Sequence, residues 1–391
     1  MAGPVTSEAA AARGAVVARR LERARAGLRK HGAGALLVGI GADLEYLTGY
    51  AAHPLERLTM LVLAPDGEPL LVTPTLEAMG ASLAPAMAIG AVRVLPWDET
   101  DNPHRLVAQH LAKCSVPAGS RLLISDRLWA MHVLALRAVL PEMQLGLASE
   151  VLRELRMAKA EDEVAALRAA AHAADRVVAQ IAGGRLVGRT EADVSREVRE
   201  RLLAEGHATA EFGIVAAGAN SASPHHAASD RVIEAGEPIV LDIGGTLDGY
   251  CSDTTRTLWV TGGAPSKGPT SEFLEIFGLV RAAQAAASEA VRPGAGCAEL
   301  DEVARSIIRE GGYGDAFFHR LGHGIGLEGH EDPYLVASSE DVLAPGYAFS
   351  IEPGIYLAGR YGVRIEDIVV CGEGGPDVLN VSSRDLWVVN G

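Results

Sequence analysis

The sequence predicts two domains, an α/β domain followed by an α+β domain. The chain has 391 residues, a length that fits two domains of ordinary size. In its first part, short apolar runs alternate with helix-like stretches, whereas the second part holds two blocks of similar size that each combine long helices with strands. We therefore expect one domain over residues 1–155 and another over residues 156–391.

The first domain begins with a helix-like stretch over residues 8–31, in which apolar positions recur at helical spacing. Gly32 and Gly34 end this pattern. Short β-like runs separated by turn signals follow it, namely ALLVGI, LTMLVLA and PLLVTP. Two further helices are predicted over residues 102–113 and 128–140. This alternation is typical of an α/β domain.

The second domain begins with a long helix, predicted from about residue 160. Further helix-like stretches cover residues 191–205, 271–291 and 299–310. Strand-like runs lie between and after them, namely PIVLDIGG, TTRTLWV, AFSIEPGIYL and VRIEDIVV. Together they indicate two helix-plus-sheet blocks and hence an α+β domain.

Charge and composition exclude several classes of protein. With 35 basic and 50 acidic side chains the net charge is −15, so a nucleic acid, which needs a basic surface, is not an expected partner. No run reaches the roughly 18 apolar residues of a membrane span, and the N-terminal segment does not resemble a secretory signal. The four cysteines are widely separated, which suits a reducing compartment. We expect a cytoplasmic protein without a membrane partner.

Isolated acidic residues interrupt apolar strands in the second domain. The segment VLDIGGTLDGYCSDTTRT places Asp242 at the end of one strand, a glycine-rich turn after it and Asp253 at the start of the return strand. A hairpin would set the two carboxylates side by side, where they repel each other unless a cation lies between them. Glu352 in SIEPGIY and Glu366 in GVRIEDIVV also lie within apolar strands, where an unpaired charge is costly.

A glycine-rich segment, FFHRLGHGIGLEGHE, holds three histidines, His319, His323 and His330. Its glycines let the backbone approach a small site closely. Each residue alone has a structural interpretation, since an aspartate at a strand end commonly forms a turn and a histidine in a loop is commonly a surface residue. Four carboxylates and a histidine together favour two divalent ions bridged by carboxylates and a water. This set predicts hydrolysis of an amide-like bond by a metal-activated hydroxide.

In order and content, these motifs resemble the pita-bread metallopeptidases, the family of methionine aminopeptidase, Xaa-Pro aminopeptidase, prolidase and creatinase. The resemblance extends from about residue 160 to the C-terminus, and the first domain is similar to the creatinase-like N-terminal domain of prolidases, with ADLEYLTGY as its local match. It implies a pita-bread catalytic domain that holds two divalent ions, with Mn2+ as the first expectation and Zn2+ or Co2+ as alternatives. It also implies a homodimer.

The resemblance assigns the metal ligands residue by residue. Asp253 and Glu366 would bridge the two ions. Asp242 would bind one ion, and His323 and Glu352 would bind the other. Glu352 would in addition relay protons to the departing amine.

Other residues would contact or support the substrate. On the resemblance, His225 in SASPHHAASD and His330 would stabilise the charge that grows on the scissile carbonyl oxygen. The neighbouring His226 would be structural or would support them. Three more residues match positions of the substrate pocket and its supporting groups, namely His319, Tyr356 and Arg364.

Within the family, the sequence favours a bacterial prolidase, which hydrolyses the Xaa-Pro bond of dipeptides. The five ligand positions are all present, which disfavours creatine hydrolysis and a non-catalytic binding role, and the N-terminal domain disfavours methionine aminopeptidase. A Xaa-Pro aminopeptidase acting on longer peptides and an amidohydrolase such as an ectoine hydrolase remain alternatives.

One position departs from the prolidase pattern. Many prolidases carry a basic residue after the proline of the His-Glu-x-Pro segment, where it binds the carboxylate of the dipeptide. Here the segment HEDPY places Tyr334 at that position. Either another group, such as one from a partner subunit, supplies the charge, or the substrates are longer peptides.

Overall fold

A computed structural model describes residues 7–390 of the chain and divides it into two compact units, with the division between Arg156 and Met157. The predicted domains begin at residue 1 and end at residue 391, so residues 1–6 and 391 of those predictions lie outside the described residues. Within residues 7–390, no helix has both the length and the apolar character needed to cross a membrane.

The first unit contains a mixed six-stranded sheet with the strand order β4-β3-β2-β1-β5-β6. Its helices are α1 (Ser7–Lys30), α2 (Ala42–Thr48), α3 (Thr75–Ser82), α4 (Pro85–Ala88), α5 (Pro103–Lys113), α6 (Ala130–Val139) and α7 (Ser149–Met157). Its strands are β1 (Ala35–Val38), β2 (Met60–Leu63), β3 (Leu70–Pro74), β4 (Arg93–Trp97), β5 (Arg121–Ile124) and β6 (Gln144–Leu147). The three strands β1, β2 and β3 are buried along their whole length, which explains their continuous apolar runs.

The second unit contains two helix-plus-sheet blocks, as the sequence predicts. Its helices are α8 (Glu161–Ala182), α9 (Glu191–Ala204), α10 (Ser271–Glu289) and α11 (Cys297–Glu310). Its strands are β7 (Thr209–Ala217), β8 (Glu237–Leu247), β9 (Tyr250–Val260), β10 (Gly322–Gly324), β11 (Glu331–Leu335), β12 (Ala348–Ile351), β13 (Gly354–Leu357), β14 (Tyr361–Arg364), β15 (Asp367–Gly372), β16 (Gly375–Val378) and β17 (Trp387–Val389).

Each pair of helices in the second unit shares a core with one of its larger sheets. Helices α8 and α9 pack on a four-stranded sheet with the order β17-β9-β8-β7. Helices α10 and α11 pack on a five-stranded sheet with the order β11-β10-β12-β15-β16. The short hairpin β13-β14 completes this unit. The apolar helix faces therefore cover one side of each sheet.

Strands β8 and β9 form a long hairpin that differs in one respect from the prediction. The turn lies at Asp248 and Gly249, both with positive φ, rather than directly after Asp242. An Asp-Gly pair with two positive φ values is typical of a tight two-residue hairpin turn. Gly244 and Gly245 belong instead to strand β8. A Cβ on Gly245 would lie 2.2 Å from the Thr209 carbonyl oxygen, so a larger residue does not fit there. These two glycines therefore permit close strand packing rather than a turn.

A fully buried ion pair ties the hairpin to β15. The Arg256 guanidinium donates to Asp367 Oδ1 at 2.7 Å and to the Glu366 carbonyl oxygen at 2.6 Å. Gln284 Nε2 donates to the other carboxylate oxygen of Asp367 at 2.8 Å, and Arg384 pairs with the same oxygen. Because Asp367 follows Glu366 directly, this network fixes the backbone that carries the Glu366 side chain.

We expect Asp367→Asn to lower the free energy of unfolding by about 3–5 kcal/mol, because it leaves the buried Arg256 charge without its partner. The measurement is the urea unfolding midpoint. Asp377→Asn is a matched control, since Asp377 pairs with Arg168 in a half-exposed ion pair and should cost no more than about 1 kcal/mol. Equal losses of unfolding free energy in the two variants would show that the buried ion pair stabilises the protein no more than the half-exposed one.

Candidate active site

A cavity of about 520 Å3 in the second unit brings together most of the residues that the sequence singles out. Four acidic side chains line it, namely Asp242, Asp253, Glu352 and Glu366. Four histidines line it as well, namely His225, His319, His323 and His330. Arg364 is a further lining residue, whereas Tyr356 is buried behind the wall. The volume is in the range of small-molecule sites.

The hairpin β8–β9 places Asp242 and Asp253 on one face. Asp242 pairs with Thr255 and Asp253 pairs with Gly244, so the two aspartates are diagonal neighbours across the two strands. Residues directly opposite one another in a sheet point to the same side, and so do residues two apart along a strand. Both carboxylates therefore face the cavity, and both residues are buried.

His323 reaches the cavity from the short strand β10, which its flanking glycines allow to lie close to its neighbours. A Cβ on Gly322 would lie 1.9 Å from the Ser350 carbonyl oxygen, and one on Gly324 would lie 2.1 Å from the Asp332 carbonyl oxygen. The His323 Nδ1 donates to the Gly324 carbonyl oxygen at 3.1 Å. A carbonyl oxygen can only accept, so Nδ1 carries a proton, and Nε2 is the ring atom that faces the carboxylates.

The two glutamates lie where strands end. Glu352 directly follows β12, and its Oε1 lies 3.2 Å from His323 Nε2 and accepts a hydrogen bond from Ser350 Oγ at 3.1 Å. Glu366 lies between β14 and β15, and its Oε2 accepts from Thr255 Oγ1 at 2.7 Å. Each carboxylate is thus oriented by a hydroxyl group while its remaining oxygen positions stay available.

The charges of this cluster conflict in the absence of a cation. Burial and the nearby Glu366 and Asp242 carboxylates raise the pKa of Asp253 well above its usual range. Burial and the Glu352 and Asp242 carboxylates do the same for the pKa of Glu366. Burial acts to raise the pKa of Glu352, but the His323 ring and neighbouring positive groups lower it to about 2. Anionic side chains held this close are typical of sites for cations.

The donor set fits divalent metal ions. Three groups have ligand atoms within 4.8 Å of one another, and they overlap in Asp253, His323 and Glu366: Asp242 with Asp253 and Glu366, His323 with Glu352 and Glu366, and Asp253 with His323 and His330. Asp242 Oδ1 is buried and has no hydrogen-bond partner among the described residues. A buried acceptor without a donor is costly, and a cation would satisfy it.

A chain of hydrogen bonds runs behind the cluster. Arg364 Nη2 donates to Asp242 Oδ2 at 2.6 Å, and Arg364 Nη1 donates to the Tyr356 hydroxyl oxygen at 2.9 Å. The Tyr356 hydroxyl in turn donates to His319 Nε2 at 3.0 Å, and His319 Nδ1 donates to the Arg320 carbonyl oxygen at 2.7 Å. Burial lowers the pKa of His319, which keeps the ring neutral and the chain of donors in this order.

Two neighbouring histidines have different surroundings. His225 is exposed on the cavity wall, so its ring is accessible from the cavity. The His226 ring instead pairs with the buried Glu191 carboxylate at 2.8 Å, which also accepts from the Ser229 hydroxyl at 2.6 Å. The structure thus brings His225 to the cluster and uses His226 to anchor the loop. His330 also lines the cavity, with its ring centroid 3.7 Å from that of His323.

Several cavity residues are absent from the sequence-based prediction. Phe212, Ile214 and Phe318 form an apolar part of the wall. Arg320 lines the cavity beside His330. Phe318 and Arg320 flank His319 in the glycine-rich histidine segment, and that position is a signal by which they could have been found. Phe212 and Ile214 are ordinary strand residues and carry no such signal.

Comparison with known proteins gives two family matches that together span most of the chain. Residues 165–373 match metallopeptidase family M24, and residues 20–158 match the creatinase/prolidase N-terminal domain. The chain is 43% identical to a probable dipeptidase, PepE, of Mycobacterium tuberculosis over 375 residues, covering 96% of this chain and 97% of that protein. It is 35% identical to a Xaa-Pro dipeptidase of Lactobacillus delbrueckii over 375 residues, covering 94% of this chain and 98% of that protein.

The fold matches solved structures as well. The crystal structure of dipeptidase PepE from Mycobacterium ulcerans superposes with a TM-score of 0.89 at 43% identity, covering 96% of this chain and 98% of that chain. The predicted architecture, an α/β creatinase-like domain followed by an α+β pita-bread catalytic domain, is thereby confirmed.

Proposed function

Because this chain belongs to metallopeptidase family M24, we propose that it is a dinuclear metal-dependent Xaa-Pro dipeptidase. The overlap of the acidic and histidine ligand groups in Asp253 and Glu366 is the observation that carries this proposal. The relative described as a Xaa-Pro dipeptidase, which matches nearly the whole chain, supports the choice of substrate. The substrate class is therefore a short peptide with proline after the scissile bond.

Five side chains would hold the two ions. Asp242 would bind one ion, His323 and Glu352 would bind the other, and Asp253 and Glu366 would bridge them. Divalent ions held there would supply Lewis-acid chemistry, that is, polarisation of the scissile carbonyl and activation of a water near neutral pH. Oxygen donors with one imidazole suit Mn2+, our first assignment, and also Zn2+ and Co2+.

Two histidines would stabilise the charge on the carbonyl oxygen during attack. Arg320 Nη2 lies 3.0 Å from His330 Nδ1 and can only donate, so Nδ1 accepts and the neutral ring carries its proton on Nε2. Burial and the nearby His323 and Arg320 lower the pKa of His330 to about 4, which keeps the ring neutral at pH 7. The Nε2 proton is thus available to a substrate oxygen, and the ring of His225, which also lines the cavity, would be the second donor.

Glu352 would move the proton. Its Oε1 accepts from Ser350 Oγ at 3.1 Å and lies 3.2 Å from His323 Nε2, so the carboxylate is held in a fixed orientation. An ionised carboxylate in this place accepts a proton from the attacking water and passes it to the departing proline nitrogen. His319, Tyr356 and Arg364 would support the pocket, because their hydrogen-bond chain connects Asp242 to the wall segment that contains Arg320.

The proposal is tested by comparing Ala-Pro with the tripeptide Ala-Pro-Ala, using protein loaded in parallel with Mn2+, Zn2+ or Co2+. We expect cleavage of the dipeptide with Mn2+ and much slower cleavage of the tripeptide, measured as released alanine. Preference for the tripeptide would instead indicate a Xaa-Pro aminopeptidase. Metal-loaded protein that is silent on both peptides would contradict peptidase activity toward proline bonds, and ectoine would then be the next substrate to assay.

We further propose that the enzyme is a cytoplasmic homodimer. The similarity of the first domain to creatinase/prolidase N-terminal domains supports the dimer by analogy. The four cysteines are free, which suits a reducing compartment. Light scattering that gives twice the mass of the chain would support the dimer, and a fully active monomer would contradict it.

A further inference from the structure

The cavity has two arginines on its wall, and only one of them has an anionic partner. Arg364 is buried and pairs with Asp242. Arg320 makes no ion pair with any carboxylate among residues 7–390; its guanidinium contacts His330 Nδ1 and lies over the ring of Tyr334, 4.3 Å from the ring centroid. Of the two arginines that line this cavity, Arg320 is thus the one whose charge is left to attract an anionic group of a ligand.

The Arg320 side chain is held in place before any ligand binds. Its backbone carbonyl oxygen accepts from His319 Nδ1, at the end of the hydrogen-bond chain from Arg364 and Tyr356. Its guanidinium is fixed between the Tyr334 ring and His330. One of its five N–H groups points to His330, so the others remain available for a carboxylate. A planar guanidinium held on an aromatic face is well suited to bind a carboxylate through two parallel hydrogen bonds.

Arg320 lies near the candidate metal ligands. The His330 ring centroid is 3.7 Å from that of His323, and Arg320 Nη2 is 3.0 Å from His330 Nδ1. His330 therefore contacts both a candidate ligand and the guanidinium. One residue of extended chain spans about 3.3–3.6 Å, so the C-terminal carboxylate of a dipeptide stays close to the scissile bond and within the same cavity.

We propose that Arg320, stacked on Tyr334, binds the C-terminal carboxylate of the dipeptide and thereby selects dipeptides over longer chains. This inference rests on the proposed Xaa-Pro dipeptidase function. It explains why an aromatic residue can occupy position 334, because the Tyr334 ring packs against the Arg320 guanidinium, which supplies the positive charge. A longer peptide has an uncharged amide carbonyl where the dipeptide has its carboxylate, and it loses this contact.

The test compares Ala-Pro with its amide, Ala-Pro-NH2, which differs only in the charge of the C-terminal group. With wild-type protein we expect kcat/KM to favour Ala-Pro by about 100-fold, the size typical of a charge-assisted pair of hydrogen bonds. Arg320→Met should remove most of this preference, mainly through a higher KM for Ala-Pro. Inhibition by L-proline relative to prolinamide gives a second readout and should lose its preference in the same way.

Two further variants sharpen the result. Arg292→Met is the matched control, because Arg292 is an exposed arginine that pairs with Glu299 and does not line the cavity. Its kcat/KM values for Ala-Pro and for Ala-Pro-NH2 should both stay at the wild-type value. Should Arg320→Met not fold, Arg320→Lys should lower the preference about tenfold, since a lysine keeps the charge without the planar fork.

The outcomes separate the inference from the function on which it rests. An equal fall in kcat/KM for Ala-Pro and Ala-Pro-NH2 in Arg320→Met would show that Arg320 only orients His330. Unchanged kcat/KM values for the two substrates would show that Arg320 does not bind the carboxylate. Either result overturns the inference while the dipeptidase activity stands. Metal-loaded wild-type protein that cleaves neither substrate would overturn the proposed function and the inference together.

Discussion

Replacing Asp253 by asparagine is expected to lower kcat/KM on Ala-Pro by about 1,000-fold or more and to lower the bound metal content to less than one ion per chain. Asparagine keeps the shape of the side chain but not its negative charge, and Asp253 belongs to two of the three overlapping ligand groups. Loss of groups that merely support a metal ligand costs about 10–100-fold, so loss of a bridging ligand should cost more. Metal content by mass spectrometry and steady-state kinetics measure the two effects.

In the metal-free protein, by contrast, Asp253→Asn should raise the stability of the fold. Burial and the repulsion of Glu366 and Asp242 raise the pKa of Asp253, so its ionised form destabilises the fold at pH 7 when no cation is bound. Metal-free Asp253→Asn should therefore unfold at a higher temperature than metal-free wild type, by about 2–4 °C for each kcal/mol of repulsion removed. With metal added, the order should reverse, because wild type alone gains the full stabilisation of bound ions.

Asp248→Asn is the matched control for both effects. Asp248 lies in the turn of the same hairpin, is exposed and has φ of 49°, a conformation that asparagine adopts readily. We expect it to leave metal content, kinetics and unfolding temperature near the wild-type values. Full metal content and activity in Asp253→Asn would contradict the proposed dinuclear site.

Replacing Gly322 by alanine is expected to destabilise the protein by about 3 kcal/mol and to lower kcat/KM by about 100-fold. The added Cβ would lie 1.9 Å from the Ser350 carbonyl oxygen, a backbone atom in the middle of a buried sheet. Strands β10 and β12 would have to separate, which displaces both His323 and Glu352. A displacement of about 1 Å in a catalytic group commonly costs this much activity. Thermal unfolding and kinetics at saturating Mn2+ measure the two losses.

Gly329→Ala tests whether the effect depends on position. Gly329 belongs to the same glycine-rich segment, but a Cβ there meets no atom within 4 Å. It should change stability by no more than about 1 kcal/mol. Similar losses in the two variants would indicate that the segment needs flexibility as a whole and would contradict the packing argument for Gly322.

Much of the fold could be predicted because local sequence and tertiary structure agree. The apolar run of β1 is buried on both faces, and helix α1 ends at Lys30 before Gly32, which has φ of 62°. In the first unit, strands β4, β5 and β6 were not predicted. Strands β4 and β6 lie at the two edges of their sheet and are partly exposed, so their residues do not form a continuous apolar run. Strand β5 is largely buried but has only four residues, too few for its apolar run to distinguish a strand from a helix.

Some residues of the candidate site could likewise be predicted from the sequence, and one of its contacts could not. Asp242, Asp253, Glu352 and Glu366 could be singled out, because a carboxylate within an apolar strand conflicts with its surroundings. The stacking of Arg320 on Tyr334 could not be predicted, since it depends on how β11 lies beside the segment before β10. The roles proposed for these residues remain predictions until the variants are measured.

The hydrogen bonds that hold the ligand-bearing backbone have a consequence for how metal is acquired. The Glu366 carbonyl oxygen is bound by Arg256, the His323 amide donates to Ser350 Oγ at 3.0 Å, and Asp242 and Asp253 belong to a fully paired hairpin. These contacts join protein groups to one another, so the chain itself holds the backbone of the proposed ligands, unlike that of small zinc domains, which fold only around their metal. We therefore expect one ion to exchange for another without refolding, and the bound metal to follow its supply.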